Sequence, residues 1–205
     1  MIFVLCSPVG PYFKSGFVPI KLSVDSKYIR AWPGGTGNVK FGGNYAPTVA
    51  SIVQANADGC SQSLFVYDED EWVTEAGTMN IFFLLTTPEG ERQLWTPTLD
   101  DGCILPGITR LTTIEVAREW GECTVVEKRI PCREIIAALK EGRMQEMFGT
   151  GTAANLQPIS GLRYKGVDHM APADGMGEGS FQIRLGQWLK QVQYGEIPHE
   201  WSVVV

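Results

Sequence analysis

Lys40 stands between two glycine-bearing turns, in Gly37-Asn38-Val39-Lys40-Phe41-Gly42-Gly43-Asn44-Tyr45-Ala46-Pro47. A lysine held in a cleft at the start of a helix can lose its charge. Burial and the positive helix end both disfavour the ammonium, and the free amine is a nucleophile suited to Schiff-base chemistry. The competing reading is a solvated loop lysine, the common fate of this residue type. Three later stretches contain groups that such a lysine could use. Glu75 lies in Val73-Thr74-Glu75-Ala76-Gly77-Thr78-Met79-Asn80, a carboxylate entering an apolar strand, or else a strand-edge surface residue. Leu105-Pro106-Gly107-Ile108-Thr109-Arg110 leads into a helix, where free backbone N–H groups and a hydroxyl can take an anion or serve only as a cap. Gly149-Thr150-Gly151-Thr152-Ala153-Ala154 follows an apolar run, and reads as a ligand-approaching loop or a plain turn.

The elements that must position these groups are strands alternating with helices. Residues 18–24, 63–67, 81–85, 92–96, 123–130, 143–148 and 159–164 read as strands, with a hairpin across Pro88-Glu89-Gly90-Glu91. Helices are expected over 45–56, where Val49, Ile52 and Val53 recur at helical spacing, over 111–120, after Pro131, and from Phe181 to Val192. Residues 25–36 are irregular, and Met1-Ile2-Phe3-Val4-Leu5-Cys6 reads as a buried strand before a proline- and glycine-rich connection. The fold class is therefore α/β, a mixed α+β arrangement.

The 205 residues suit one full domain with a fragment of another, and 44% hydrophobic with 20% charged residues is an ordinary globular composition without low-complexity tracts. A net charge of −6 argues against a general basic surface for nucleic acid. Five scattered cysteines without a CxxC pair, and two histidines, predict reduced thiols and no metal site. The N-terminal apolar run is too short for a signal peptide or a membrane span.

Taken in order, Lys40 with Gly42-Gly43-Asn44-Tyr45, Thr74-Glu75-Ala76-Gly77-Thr78-Met79-Asn80-Ile81-Phe82, Leu105 to Arg110, and Gly149 to Ala154 resemble the class IV (fold-type IV) pyridoxal-phosphate aminotransferases. The eukaryotic branched-chain amino-acid aminotransferases are the most similar members, and the likeness runs from Phe3 to Trp201, including Gln193-Tyr194-Gly195. The resemblance implies a large cofactor domain built on a mixed sheet or pseudobarrel with surrounding helices. It implies pyridoxal 5′-phosphate on Lys40 as a Schiff base, with Lys40 also the catalytic proton carrier. Glu75 would pair with the pyridine nitrogen, Tyr45 with the ring's phenolic oxygen, and Ile108, Thr109 and Thr152 with the phosphate. Tyr45, Thr78, Met79, Thr152 and Ala153 would line the substrate side.

The implied reaction is reversible amino transfer between leucine, isoleucine or valine and 2-oxoglutarate, in a homodimer located in cytoplasm or mitochondrion. Residues 1–16 would be the last strand of a small domain and its linker, and 17–205 the large domain. Family members carry that small domain ahead of the position of Met1, with an arginine for the cofactor phosphate, so the expectation for this chain alone is a truncated form with weak or no activity. Ala154-Asn155-Leu156-Gln157 stands where some mammalian members have a redox CxxC, so no thiol switch is carried over. Two alternatives stand beside this reading: another fold-type IV activity, such as D-amino-acid aminotransferase or aminodeoxychorismate lyase, and a non-catalytic dimerisation or interaction module.

Overall fold

In the computed structural model, residues 2–8, 18–153 and 155–203 are described. The connection at 9–17, Ala154 and the last two valines lie outside the described residues. Strands β1 (Ile20–Asp25), β2 (Gln62–Tyr67), β3 (Trp72–Ala76), β4 (Met79–Thr86), β5 (Arg92–Pro97), β6 (Thr124–Lys128), β7 (Met144–Gly151), β8 (Asn155–Tyr164) and β9 (Val167–Met170) form one mixed sheet. Helices α1 (Ala46–Ala57), α2 (Ile108–Trp120), α3 (Cys132–Lys140) and α4 (Phe181–Gln193) pack against it.

The strand order β3-β2-β1-β8-β7-β4 closes on itself because β3 also pairs with β4, through Glu75↔Asn80 and Ala76↔Met79. Six strands thus make a ring, from which β5 and β6 continue beyond β4, and β9 beyond β8. This is the mixed sheet and pseudobarrel that the resemblance implies. Closure leaves the six ring strands no free edge, and it brings the β3–β4 turn beside the end of β7, since Asn80 pairs with Thr150.

The run Ile81-Phe82-Phe83-Leu84-Leu85 is continuously apolar because β4 is covered on both faces. Ile81, Phe83 and Leu85 join the cluster that includes Leu22, Leu64, Ile135 and Met147. Phe82 and Leu84 turn the other way, to Ile114 of α2 and Leu185 and Leu189 of α4. There Phe82 and Phe148 stack at 5.2 Å, and Phe181 stands 6.3 Å from Phe148.

Helix α1 differs from its sequence pattern. Its buried face is Thr48, Ser51 and Ala55, whereas Val49 and Val53 are exposed. Ser51 Oγ lies 2.6 Å from Ser63 Oγ of β2, so small polar side chains carry a close helix–sheet approach where valines were expected to. Residues 2–6 are another correction. They form no strand, and Ile2, Phe3, Val4 and Leu5 are exposed, because none of the described strands pairs with them. Strand β9 lies where the sequence pattern places no element, and Gly149-Thr150-Gly151 belongs to β7 itself.

Helix α4 is fixed to the sheet at its first turn. Phe181 and Gln182 donate their backbone N–H groups to the Glu146 carboxylate at 2.7 and 2.9 Å, satisfying two of the otherwise unpaired donors of a helix start. Glu146→Ala should therefore lower the unfolding free energy by about 2 kcal/mol in urea denaturation. A loss below about 0.5 kcal/mol, the scale of neutral surface changes, would show that this anchor contributes little.

Candidate active site

Three connections converge at the ring: the loop before α1, the two-residue turn Gly77-Thr78 between β3 and β4, and the turn from β7 to β8. They enclose a cavity of about 360 Å³ lined by Lys40, Tyr45, Thr78, Met79, Gly151, Thr152 and Ala153. Residues separated by more than a hundred positions thus share one wall system, and its volume is that of a small-molecule site.

Glu75 is buried, 3% exposed, at the end of β3. Its surface-residue reading is thereby excluded. Oε1 accepts the Leu105 backbone N–H at 2.8 Å and faces Asn80 Nδ2 at 3.4 Å. Oε2 lies 3.0 Å from Arg30 Nε, in ion-pair contact without the alignment of a hydrogen bond. Burial pushes the Glu75 carboxyl up to about 7, against the downward pull of Arg30, the Leu105 N–H and Lys40. Lys40 itself is exposed.

Arg30 escaped the sequence reading, which left 25–36 as irregular chain. It is 2% exposed. Its guanidinium donates to Cys103 O at 3.0 Å and Gly37 O at 3.2 Å, and its central carbon stands 6.0 Å from the Tyr45 ring centroid. One side chain therefore ties Glu75 to the lysine loop and to the loop ahead of α2. Gly37 permits this closeness, because a Cβ there would sit 2.5 Å from Ala31 Cβ and 2.6 Å from Cys103 O. No local periodicity marks such an arginine.

Asn80 holds the same turn from the other side, donating Nδ2 to Leu105 O at 2.9 Å. A Cβ on Gly107 would come 2.2 Å from Asn80 Oδ1, so only glycine fits at this helix entry. Gly107 is the N-cap of α2 and no side chain caps the helix, leaving the N–H groups at its start without a side-chain acceptor. Ile108 and Thr109 begin the helix but do not line the lysine cavity; Ile108 is 74% exposed and faces a separate groove with Leu189 and Trp201. In β7 Gly149 makes room for a neighbouring side chain, since a Cβ there would meet Met79 Sδ at 2.8 Å, while Gly151 lines the cavity. Between them Thr150 is 1% exposed, and its hydroxyl has no partner.

The five cysteines are free, and burial pushes the Cys103 and Cys132 thiols up to about 12. No His, Cys, Asp and Glu cluster suited to a metal occurs among the described residues, and no described helix is long and apolar enough to cross a membrane.

The amino-transferase class IV family matches residues 14–162, and the chain belongs to it. It is 44% identical over its full length to the branched-chain-amino-acid aminotransferase of Dictyostelium discoideum, covering 54% of that protein. It is 45% identical over its full length to the mitochondrial enzyme of Bos taurus, covering 52% of it. With the cytosolic enzyme of Mus musculus it shares 43% identity over 99% of this chain and 52% of the relative. The chain spans about half the length of the curated relatives it matches. Among solved structures, the branched-chain aminotransferase of Thermoproteus uzoniensis with norvaline superposes with a TM-score of 0.69 at 26% identity, over 91% of this chain and 54% of that one. The PLP-form of the Thermobaculum terrenum enzyme gives 0.70 at 25% identity, over 89% and 53%.

The raised Glu75 pKa gives a test of sign. Between pH 4.5, the ordinary value, and about 7, the folded chain keeps a proton that the unfolded chain has lost. Stability contributed by this group is therefore full below pH 4.5, falls as pH rises through that window, and levels off above it, by about 3 kcal/mol in all. In urea unfolding of the cofactor-free chain, the parent should lose about 3 kcal/mol more than Glu75→Gln across this window, because the fall from Glu146, also raised by burial, is common to both. Parallel pH profiles would contradict the burial of an ionisable Glu75.

Proposed function

We propose that this chain is the cofactor-binding part of a branched-chain amino-acid aminotransferase, using pyridoxal 5′-phosphate held at Lys40. The observation that carries the reading is the union of Lys40, Tyr45, Thr78, Met79, Thr152 and Ala153 on one cavity, with Glu75 buried on the strand that leads into its Gly77-Thr78 turn. In this reading residues 17–205 are the large domain, and residues 1–16 belong to a small domain and its linker. The mitochondrial and cytosolic relatives are similarly close, so both compartments remain part of the proposal, as does a homodimer.

The residues present fit the cofactor. Glu75 is a buried carboxylate ready to pair with a protonated ring nitrogen, and Tyr45 on the cavity wall can donate to a phenolic oxygen. The N–H groups of Ile108 and Thr109 at the uncapped start of α2 are donors for a phosphate. The Thr152 hydroxyl is a further donor, and the unpartnered Thr150 hydroxyl at the adjoining strand end is consistent with a polar ligand there. When bound, pyridoxal phosphate supplies an aldehyde that condenses with amines and a ring that takes up electron density from the α-carbon.

The chain's own residues do the rest. Lys40 Nζ would be the amine that holds the cofactor, and the base that takes the proton from the amino acid's α-carbon and returns it. Glu75, held by Arg30 and the Leu105 N–H, keeps a proton on the ring nitrogen. Thr78, Met79, Thr152 and Ala153 orient the amino acid, with the Ala153 backbone toward its carboxylate. Met79 and the stem of Lys40 supply apolar surface for a branched side chain.

The test is transfer of label from 15N-leucine to 2-oxoglutarate by the protein that contains this chain. Leucine, isoleucine and valine should donate, and Lys40→Ala should lower the rate at least about a hundredfold. Turnover of D-alanine or aminodeoxychorismate without leucine would overturn the substrate class.

A further inference from the structure

Lys40 is the central residue of a three-residue turn. The Phe41 N–H donates across it to Val39 O at 2.8 Å, and Lys40 is not among the residues with positive φ, which makes this an inverse γ-turn. So tight a turn on an exposed loop has little apolar packing of its own. Val39 and Phe41 on either side are both more than half exposed.

What holds it is Asn44. This residue is 6% exposed, in the short 3-10 turn Gly42–Asn44 that follows the lysine. Its Nδ2 donates to Thr36 O at 2.7 Å and Val39 O at 2.9 Å, while Oδ1 accepts the Thr36 hydroxyl at 2.7 Å. Thr36 O also receives the Val39 N–H at 3.1 Å, and the Asn44 N–H donates to Phe41 O at 3.0 Å. The Asn44 side-chain amide, with both of its N–H donors used, thus ties the chain before Lys40 to the turn after it, which the Asn44 backbone N–H closes onto Phe41 O. Aspartate has the same shape but would set an oxygen against two carbonyls, and glutamine is one carbon too long for the span.

We propose that Asn44 is a positioning residue for Lys40, fixing the backbone of the turn so that the amine is presented to the cavity. The proposal rests on the reading of Lys40 as the cofactor lysine. Asn44 itself does not line the cavity. Its effect reaches the site only through the Val39 and Thr36 carbonyls.

Two measurements on the full chain test this with Asn44→Ala, Asn44→Asp and the milder Thr36→Val, which removes a single hydroxyl and tests the staple even if the asparagine variants fail to fold. The first needs no cofactor: native-state trypsin cleavage of the Lys40–Phe41 bond, scaled to cleavage after exposed Lys165 in the β8–β9 turn. Losing two buried hydrogen bonds should speed it at least about tenfold in the asparagine variants, with a smaller rise in Thr36→Val. The second is the rate at which pyridoxal phosphate and borohydride fix a label on Lys40, read by peptide mapping. That rate should fall about tenfold in the asparagine variants while other lysines label as before. Unchanged cleavage overturns the staple, and faster cleavage with unchanged Lys40 labelling overturns the positioning role. Failure of the parent chain to label at Lys40 while cleavage responds overturns instead the cofactor reading on which the role rests.

Discussion

The site depends on one buried ion pair, Arg30 with Glu75. Both side chains are almost wholly removed from water. Desolvating two charges costs several kcal/mol each, and their attraction compensates only when the remaining donors and acceptors are also satisfied. Here the other guanidinium nitrogens reach Cys103 O and Gly37 O, and the carboxylate takes the Leu105 N–H. The result is less a source of stability than a fixed address. These contacts bring together three segments distant in sequence, at 30–37, 75 and 103–105.

Such a device is needed because these connections have little core of their own. The small apolar cluster beneath them comprises Ala31, Tyr67, Cys103 and Ile104, far less than the clusters on the two faces of β4. The sheet ring supplies rigidity and the polar hub supplies register. Asn80 shows the two joined: in β4 its backbone pairs with Thr150, while its side chain holds Leu105 O and faces Glu75. The ring's closure and these polar contacts therefore meet at adjacent residues, beside the turn whose Thr78 and Met79 line the lysine cavity.

Much of this was legible in the sequence where the signal is local. The unbroken Ile81–Leu85 run announced a strand, and helical spacing marked α2 and α4 because their apolar faces meet a large core. The residues now lining the cavity were marked by glycine turns and by a likeness in motif order. Arg30 was not legible, since a buried arginine in irregular chain looks like a surface one until its partners are known. Nor was the burial of Glu75, which depends on ring closure through β3 and β4. In α1 the periodicity of Val49 and Val53 misled because serine and threonine make the closer contact. At residues 2–6 an apolar run has no strand to pair with among the described residues.

The central claim is that Lys40 and Glu75 form one cofactor site, and titration of the chain with pyridoxal phosphate, followed by visible absorption, tests it most directly. The account predicts a saturable band near one equivalent from the lysine imine, abolished in Lys40→Ala and altered in Glu75→Ala. The same band in Lys40→Ala, at the same stoichiometry, would contradict it.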